Sequence, residues 1–175
     1  ASFTSPKNAA ASSGIASRNR FLNEPVANLA GRDRSRTDIL HEYFLPAAGL
    51  EPFLAACRTA IPGSRQELLN ITLRYVQADR TSALAFARGD RVAAVMLFSQ
   101  KMTQADEEDM MAMTRRLIDA ALDAGGSFYL PYRLHARPDQ VARAYPRLDE
   151  VAARKRHHDP GLLFRNTMWH RYLAP

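Results

Sequence analysis

Groups able to do chemistry crowd into one short run of the chain. From Gly125 to His135 the sequence reads Gly-Gly-Ser-Phe-Tyr-Leu-Pro-Tyr-Arg-Leu-His, which places two phenols (Tyr129 and Tyr132), a guanidinium (Arg133) and an imidazole (His135) close together. At the end of a strand such groups make one wall of a ligand site, because phenol and imidazole exchange hydrogen bonds and a guanidinium holds negative charge. The same residues also suit a central strand with core tyrosines and a solvated Arg and His. A second polar set has strand spacing: Asn70, Thr72 and Arg74 alternate with Leu69, Ile71, Leu73 and Tyr75. Alternation of that kind marks an antiparallel sheet with one face packed and the other turned to solvent or a ligand.

The elements that must position these groups follow from hydrophobic period and stop signals. Thr37–Leu45 alternates as a strand that Pro46 ends,. Leu50, Phe53, Leu54, Cys57 and Ile61 recur at helical spacing up to the Pro62-Gly63 stop,. Glu67–Gln77 is the second strand, and the helices are expected to cover its Leu69, Ile71, Leu73 and Tyr75 row. Leu84–Phe86 is a short strand candidate, separated from the strand Val92–Phe98 by the turn Arg88-Gly89-Asp90-Arg91,. A long helix follows, with Thr103 as N-cap, Asp106 three residues on, a buried stripe of Met110, Met113, Leu117 and Ala121, and a Gly125 stop,. The last strand spans Phe128–Leu134, and helices are expected at 138–145 and 148–158.

The order strand, helix, strand, strand, helix, strand is that of an α+β, ferredoxin-like split βαβ fold: an antiparallel sheet with two helices on one face, plus C-terminal helices. The other sheet face needs a cover, supplied in part by those C-terminal helices or by a second domain. Residues 1–36 read as an N-terminal arm or linker, and 37–175 as the folded domain.

Composition narrows the classes. No apolar run approaches the roughly 20 residues of a membrane span. The one cysteine, Cys57, excludes an intrachain disulfide and reads as a small core residue,. The first residues lack the pattern of a secretory signal, so a cytoplasmic location is expected. Net charge is +6, but the basic residues are scattered except for Arg154-Lys155-Arg156-His157-His158, which reads as a solvated helix face,. His157-His158-Asp159 is a poor metal set, since helical neighbours diverge. No Gly-x-Gly-x-x-Gly, Walker loop or Gly-x-Ser-x-Gly is present,. The aromatic strand of RNA-recognition domains is missing too, so nucleic acid is not the expected partner.

The tail carries a resemblance. Ala144-Tyr145-Pro146-Arg147-Leu148-Asp149-Glu150, Lys155, His158-Asp159-Pro160-Gly161 and Phe164-Arg165-Asn166 resemble the C-terminal end of FAD-linked oxidases of the vanillyl-alcohol oxidase type. The nearest branch is the sugar-oxidising one, with aldonolactone and alditol oxidases and decaprenylphosphoryl-ribose oxidase. The strand Ile39–Pro46 and the Gly-Gly-x-x-Tyr run fit the same pattern, so the resemblance covers Thr37 to Leu173. It implies a ferredoxin-like cap that covers a flavin held mainly by a separate N-terminal FAD-binding domain, and that forms the pocket for a small sugar, polyol or lactone. It further implies Arg74 as the arginine of a Glu-x-Arg strand, with Thr72 where the glutamate stands. Tyr132 then occupies a lysine position and Tyr129 the histidine position before it. Arg74 and Tyr132 become the catalytic candidates, and Thr72, Tyr129, Arg133 and His135 the substrate-binding ones. Asn166 becomes a flavin-edge contact. Strand alternation would turn Arg133 away from Tyr132's side. The alternative is a stand-alone ferredoxin-like binding module without redox chemistry.

Overall fold

The computed structural model describes residues 33–174; the expectations for the N-terminal arm fall almost wholly on residues 1–32, outside the described part. Four strands form one antiparallel sheet: β1 (Arg36–Leu45), β2 (Glu67–Val76), β3 (Arg91–Lys101) and β4 (Ser127–Phe128), in the order β2-β3-β1-β4. Two helices link them, α1 (Leu50–Ala60) between β1 and β2 and α2 (Gln104–Asp123) between β3 and β4. This is the connectivity and strand order of a ferredoxin-like split βαβ fold.

Register decides what each face carries. Ile39, His41, Tyr43 and Leu45 of β1 pair with Phe98, Met96, Ala94 and Val92 of β3. That row, apart from half-buried Val92, is buried beneath both helices with Phe53, Cys57, Met110, Met113, Leu117 and Ala121, so α1 and α2 share one face. The methionine stripe and Cys57 are core, and burial pushes the Cys57 thiol up to about 12,. Thr103 caps α2, its hydroxyl accepting from Asp106 N at 3.1 Å. At the other end Gly125 takes φ +74°, Gly125 N donates to Leu122 O at 3.0 Å and Gly126 N to Ala121 O at 2.8 Å. These two bonds make a Schellman stop that turns the chain straight into the sheet.

Four expectations about the elements and their cover need correction. First, the last strand is two residues long rather than extending to Leu134. Pro131 lacks a ladder donor, and the chain from Leu130 to Arg137 is fixed by side chains instead. Tyr145 OH donates to Phe128 O, Arg115 Nε to His135 O (2.9 Å) and Tyr172 OH to Ala136 O (2.9 Å). Second, Leu84–Phe86 is loop, not strand; Phe86 stacks on Phe44 with 4.4 Å between ring centroids, covering part of the face opposite the helices. Third, the C-terminal helix α3 (Pro138–Ala144) does not cover that face, because Val141, Ala144 and Tyr145 join the main core. Beyond it, Ala152 of α4 (Leu148–His158) packs with Trp169 and Leu173 in a separate small cluster. Fourth, β2 lies at the sheet edge, past the reach of the helices. Ile71 and Leu73 point to the helix side by register yet are 38% and 51% exposed, and Tyr75 is 72% exposed. A bulge between Leu68 and Asn70 sets that register and leaves Leu69 exposed as well,.

No helix among the described residues is long and apolar enough to cross a membrane. Nor is any group of three or more His, Cys, Asp or Glu side chains among them placed to hold a metal ion. His157 and His158 do turn their rings together, 4.9 Å apart and edge to face, against the expected divergence. The basic run around them is only partly a solvated face: Lys155 pairs with Asp159, and Lys155 and Arg156 sit 5.7 and 5.6 Å from the Trp169 ring centroid.

Candidate functional site

The face opposite the helices is built in rows. Thr72 and Glu42 flank Val95 from its two sides, and Tyr129 N donates to Glu42 O at 2.9 Å, which extends the row to β4. Arg74 and Phe44 flank Ala93 in the next row. Ala93 is fully buried in a small apolar cluster with Phe44 and Val95, and the Arg74 charge acts on both Glu42 and Tyr132. Arg74 therefore projects from the sheet face away from the helices, as alternation predicts, and shares its surroundings with Tyr132. Burial of a guanidinium in the apolar helix layer would cost several kcal/mol unless it were paired.

Glu42, which the sequence reading passed over, is the centre of this group. It is half-buried and lines the same small cavity as Tyr132. Burial raises its pKa, and the Arg74 charge and the Tyr132 hydroxyl offset part of that rise,. Tyr132 is raised as well, by burial and by the Glu42 charge. Its ring lies edge to face against Tyr129 at 4.7 Å, and Tyr129 in turn meets Phe86 at 5.7 Å. Beneath these groups a cavity of about 20 Å³ touches Glu42, Tyr129, Tyr132, Arg133, His41 and Thr114, which is room for one water. The signal for Glu42 was present in the sequence: with His41 and Tyr43 facing the core, alternation puts Glu42 on the face of Thr72 and Arg74.

Around the corner from that face, a groove of about 510 Å³ collects Glu107, Tyr132, Arg133, His135, Asn166 and Arg171. Tyr132 and Arg133 line both the groove and the small cavity. The expected opposition of these two side chains fails, because the segment carrying them is not an extended strand. Asn166 Oδ1 accepts from Trp169 N at 2.8 Å, capping the last helical turn, Trp169–Leu173.

His135 faces inward. Its Nε2 is 2.8 Å from Glu107 Oε1 and its Nδ1 is 3.2 Å from Thr114 Oγ1. Thr114 also donates to Met110 O at 2.7 Å and lies 3.4 Å from Nε2 of His41, whose Nδ1 is 3.1 Å from Tyr43 OH. Glu107 completes the chain by accepting from Gln100 Nε2 at 2.8 Å, with Arg133 Nη1 at 3.6 Å. Burial lowers the pKa of both histidines, His41 to about 3. Glu107 pulls His135 back up only in part, and the chain of contacts is a buried brace between β1, α2 and the Tyr132 loop.

Seven residues carried the sequence expectations, and they fall into two neighbouring groups. Thr72, Arg74, Tyr129 and Tyr132 share the sheet face, and Tyr132 joins Arg133, His135 and Asn166 at the groove. No family model matches the chain, and no curated protein matches it.

Proposed function

We propose that this chain is the substrate-binding cap domain of a FAD-dependent oxidoreductase that oxidises a CH–OH group of a sugar, polyol or lactone by hydride transfer to flavin N5. The observation that carries the reading is the sheet face opposite the helices, where Arg74, Glu42 and Tyr132 interact electrostatically beside exposed Thr72. The resemblance described above supplies the reaction class, and the ferredoxin-like fold agrees with it. The residues suit one end of the cofactor: a reduced isoalloxazine carries negative charge, and the exposed Arg74 guanidinium is suited to stabilise it,. They do not suit the pyrophosphate end, for which the chain has no glycine-rich cradle,. An N-terminal FAD-binding domain is therefore the partner, a small sugar-like molecule the substrate, with no nucleic acid partner and no membrane span. The workplace is the cytoplasm. Bound FAD supplies a two-electron acceptor; the chain's own side chains bind and orient the carbinol and handle its proton.

The test joins this chain to its FAD-binding domain and follows flavin absorbance anaerobically on addition of alditols and aldonolactones. The expected product is yellow and bleaches with at least one of them. Arg74→Ala should slow flavin reduction by about 10²-fold or more while leaving thermal stability near the parent's, because the side chain is exposed. A colourless protein, or unchanged reduction in Arg74→Ala, defeats the assignment.

A further inference from the structure

We propose that Glu42 is the proton acceptor of this site, an inference that rests on the cap-domain reading. Oxidation of a carbinol breaks two bonds. The C–H electron pair leaves as hydride to the oxidised flavin, the O–H proton leaves to a base, and the C=O bond forms between them. The base must have a free lone pair and must not already be protonated at neutral pH. Among the side chains gathered around Tyr132 on the sheet face, Arg74 and Arg133 are cations without an acceptor atom, and Thr72, Tyr129 and Tyr132 are neutral hydroxyls. His41 and His135 lie in the interior with both ring nitrogens engaged. Glu42 is the carboxylate left in that set.

Its placement fits the task. Glu42 lies in the row of Thr72 and Tyr129 and beside that of Arg74, half-buried but on the face no helix pair covers. Glu42 and Tyr132 line the same small cavity, and Tyr132 also lines the groove, so the phenol joins the carboxylate's surroundings to that groove. Burial raises its pKa and so makes it a stronger base than a free carboxylate, and the Arg74 charge offsets part of that rise,. After the transfer the proton on Glu42 returns to solvent once product leaves the open face.

The experiment has two arms. In the first, NMR follows the titration of the Tyr132 ring in this chain alone, parent against Glu42→Gln. The Glu42 charge raises the phenol's pKa, so the variant should titrate at lower pH; an unmoved Tyr132 overturns the geometry without reference to any flavin. In the second, the chain joined to its FAD-binding domain is mixed rapidly with substrate across pH. Glu42→Gln should lower the reduction rate by between about 10² and 10⁴-fold, leave substrate affinity within a few-fold and abolish the acid limb of the rate profile. Added formate should restore part of the rate in Glu42→Ala, where the carboxylate's space is vacated. A retained acid limb at parental rate overturns the role of Glu42 even where the flavin is reduced normally. Failure of the parent to bind flavin or be reduced defeats the cap reading instead, and the proton-acceptor role falls with it.

Discussion

At the scale of single residues, the buried histidines make the first measurable claim. His41 titrates at about 3 in the folded protein and near 6.5 once unfolded, because burial, helped by His135 and Arg133, disfavours the imidazolium. Below pH 6.5 the unfolded chain takes up a proton that the folded chain refuses, so stability falls as pH falls, through the window down to about 3,. Between pH 7 and pH 5 that single group accounts for about 2 kcal/mol of lost stability. His135, lowered in the same direction, adds to the loss. Urea unfolding at the two pH values should show His41→Gln losing less than the parent; an identical pH dependence would mean that His41 is charged in the folded state. The chemistry of this relay was only half legible beforehand. His135 stood out in a polar run, but its partners Thr114 and Glu107 lie on the long helix, and nothing local to a helical Thr announces a histidine 21 residues later. Glu42 was missed for the opposite reason. Alternation within Thr37–Leu45 only separates it from His41 and Tyr43, and the cross-strand register adds that it shares a row with Thr72.

At the scale of elements, pattern reading found every strand and helix that has a strong period and failed where an element is held by something other than its own period. The helix from Gln104 to Asp123 has a cap, a stripe and a glycine stop, and all three signals act as expected. The last strand was drawn too long because Tyr129, Leu130, Tyr132 and Leu134 have strand-like composition, whereas the path of that segment is set by Arg115, Tyr145 and Tyr172 from distant positions. The second strand has a clean alternation, but alternation states only which residues share a face, not whether anything covers it. Leu73 is half exposed at the sheet edge, while Met96, facing the same side one strand in, is fully buried. Leu73→Thr should therefore change unfolding free energy by no more than about 0.5 kcal/mol, against about 2–5 kcal/mol for Met96→Ala. Chemical denaturation of the two variants decides it: a large loss for Leu73→Thr would mean that the outer row of this strand is packed in solution.

At the scale of the molecule, the distribution of uncovered apolar groups bears on whether this domain works alone. Leu69, Ile71, Leu73 and Tyr75 are exposed along the edge strand, and Leu163 and Phe164 are 83% and 79% exposed in the loop after the fourth helix. That loop is held rather than loose. The Asp159 carboxylate accepts from Leu163 N at 2.9 Å and from Phe164 N at 3.0 Å while pairing with Lys155, and these contacts depress its pKa to about 2. A fixed loop that presents two large apolar side chains to water stays soluble at a cost, and contiguous exposed apolar surface beyond a few hundred Å² is uncommon on monomers. In the cap-domain reading Leu163 and Phe164 face a partner domain, whereas Ile71, Leu73 and Tyr75 lie on the helix side of the sheet. The folded chain should then bind a hydrophobic dye such as anilinonaphthalene sulfonate under conditions where its thermal transition is still cooperative. The double variant Leu163→Ser with Phe164→Ser should lower the dye signal without lowering the transition temperature, since neither side chain belongs to a core cluster. Joining the FAD-binding domain should suppress the signal of the parent in the same way. Dye binding that is absent in the folded parent, or that persists undiminished in the joined protein, would remove the exposed apolar groups from the docking argument and favour a domain that functions by itself.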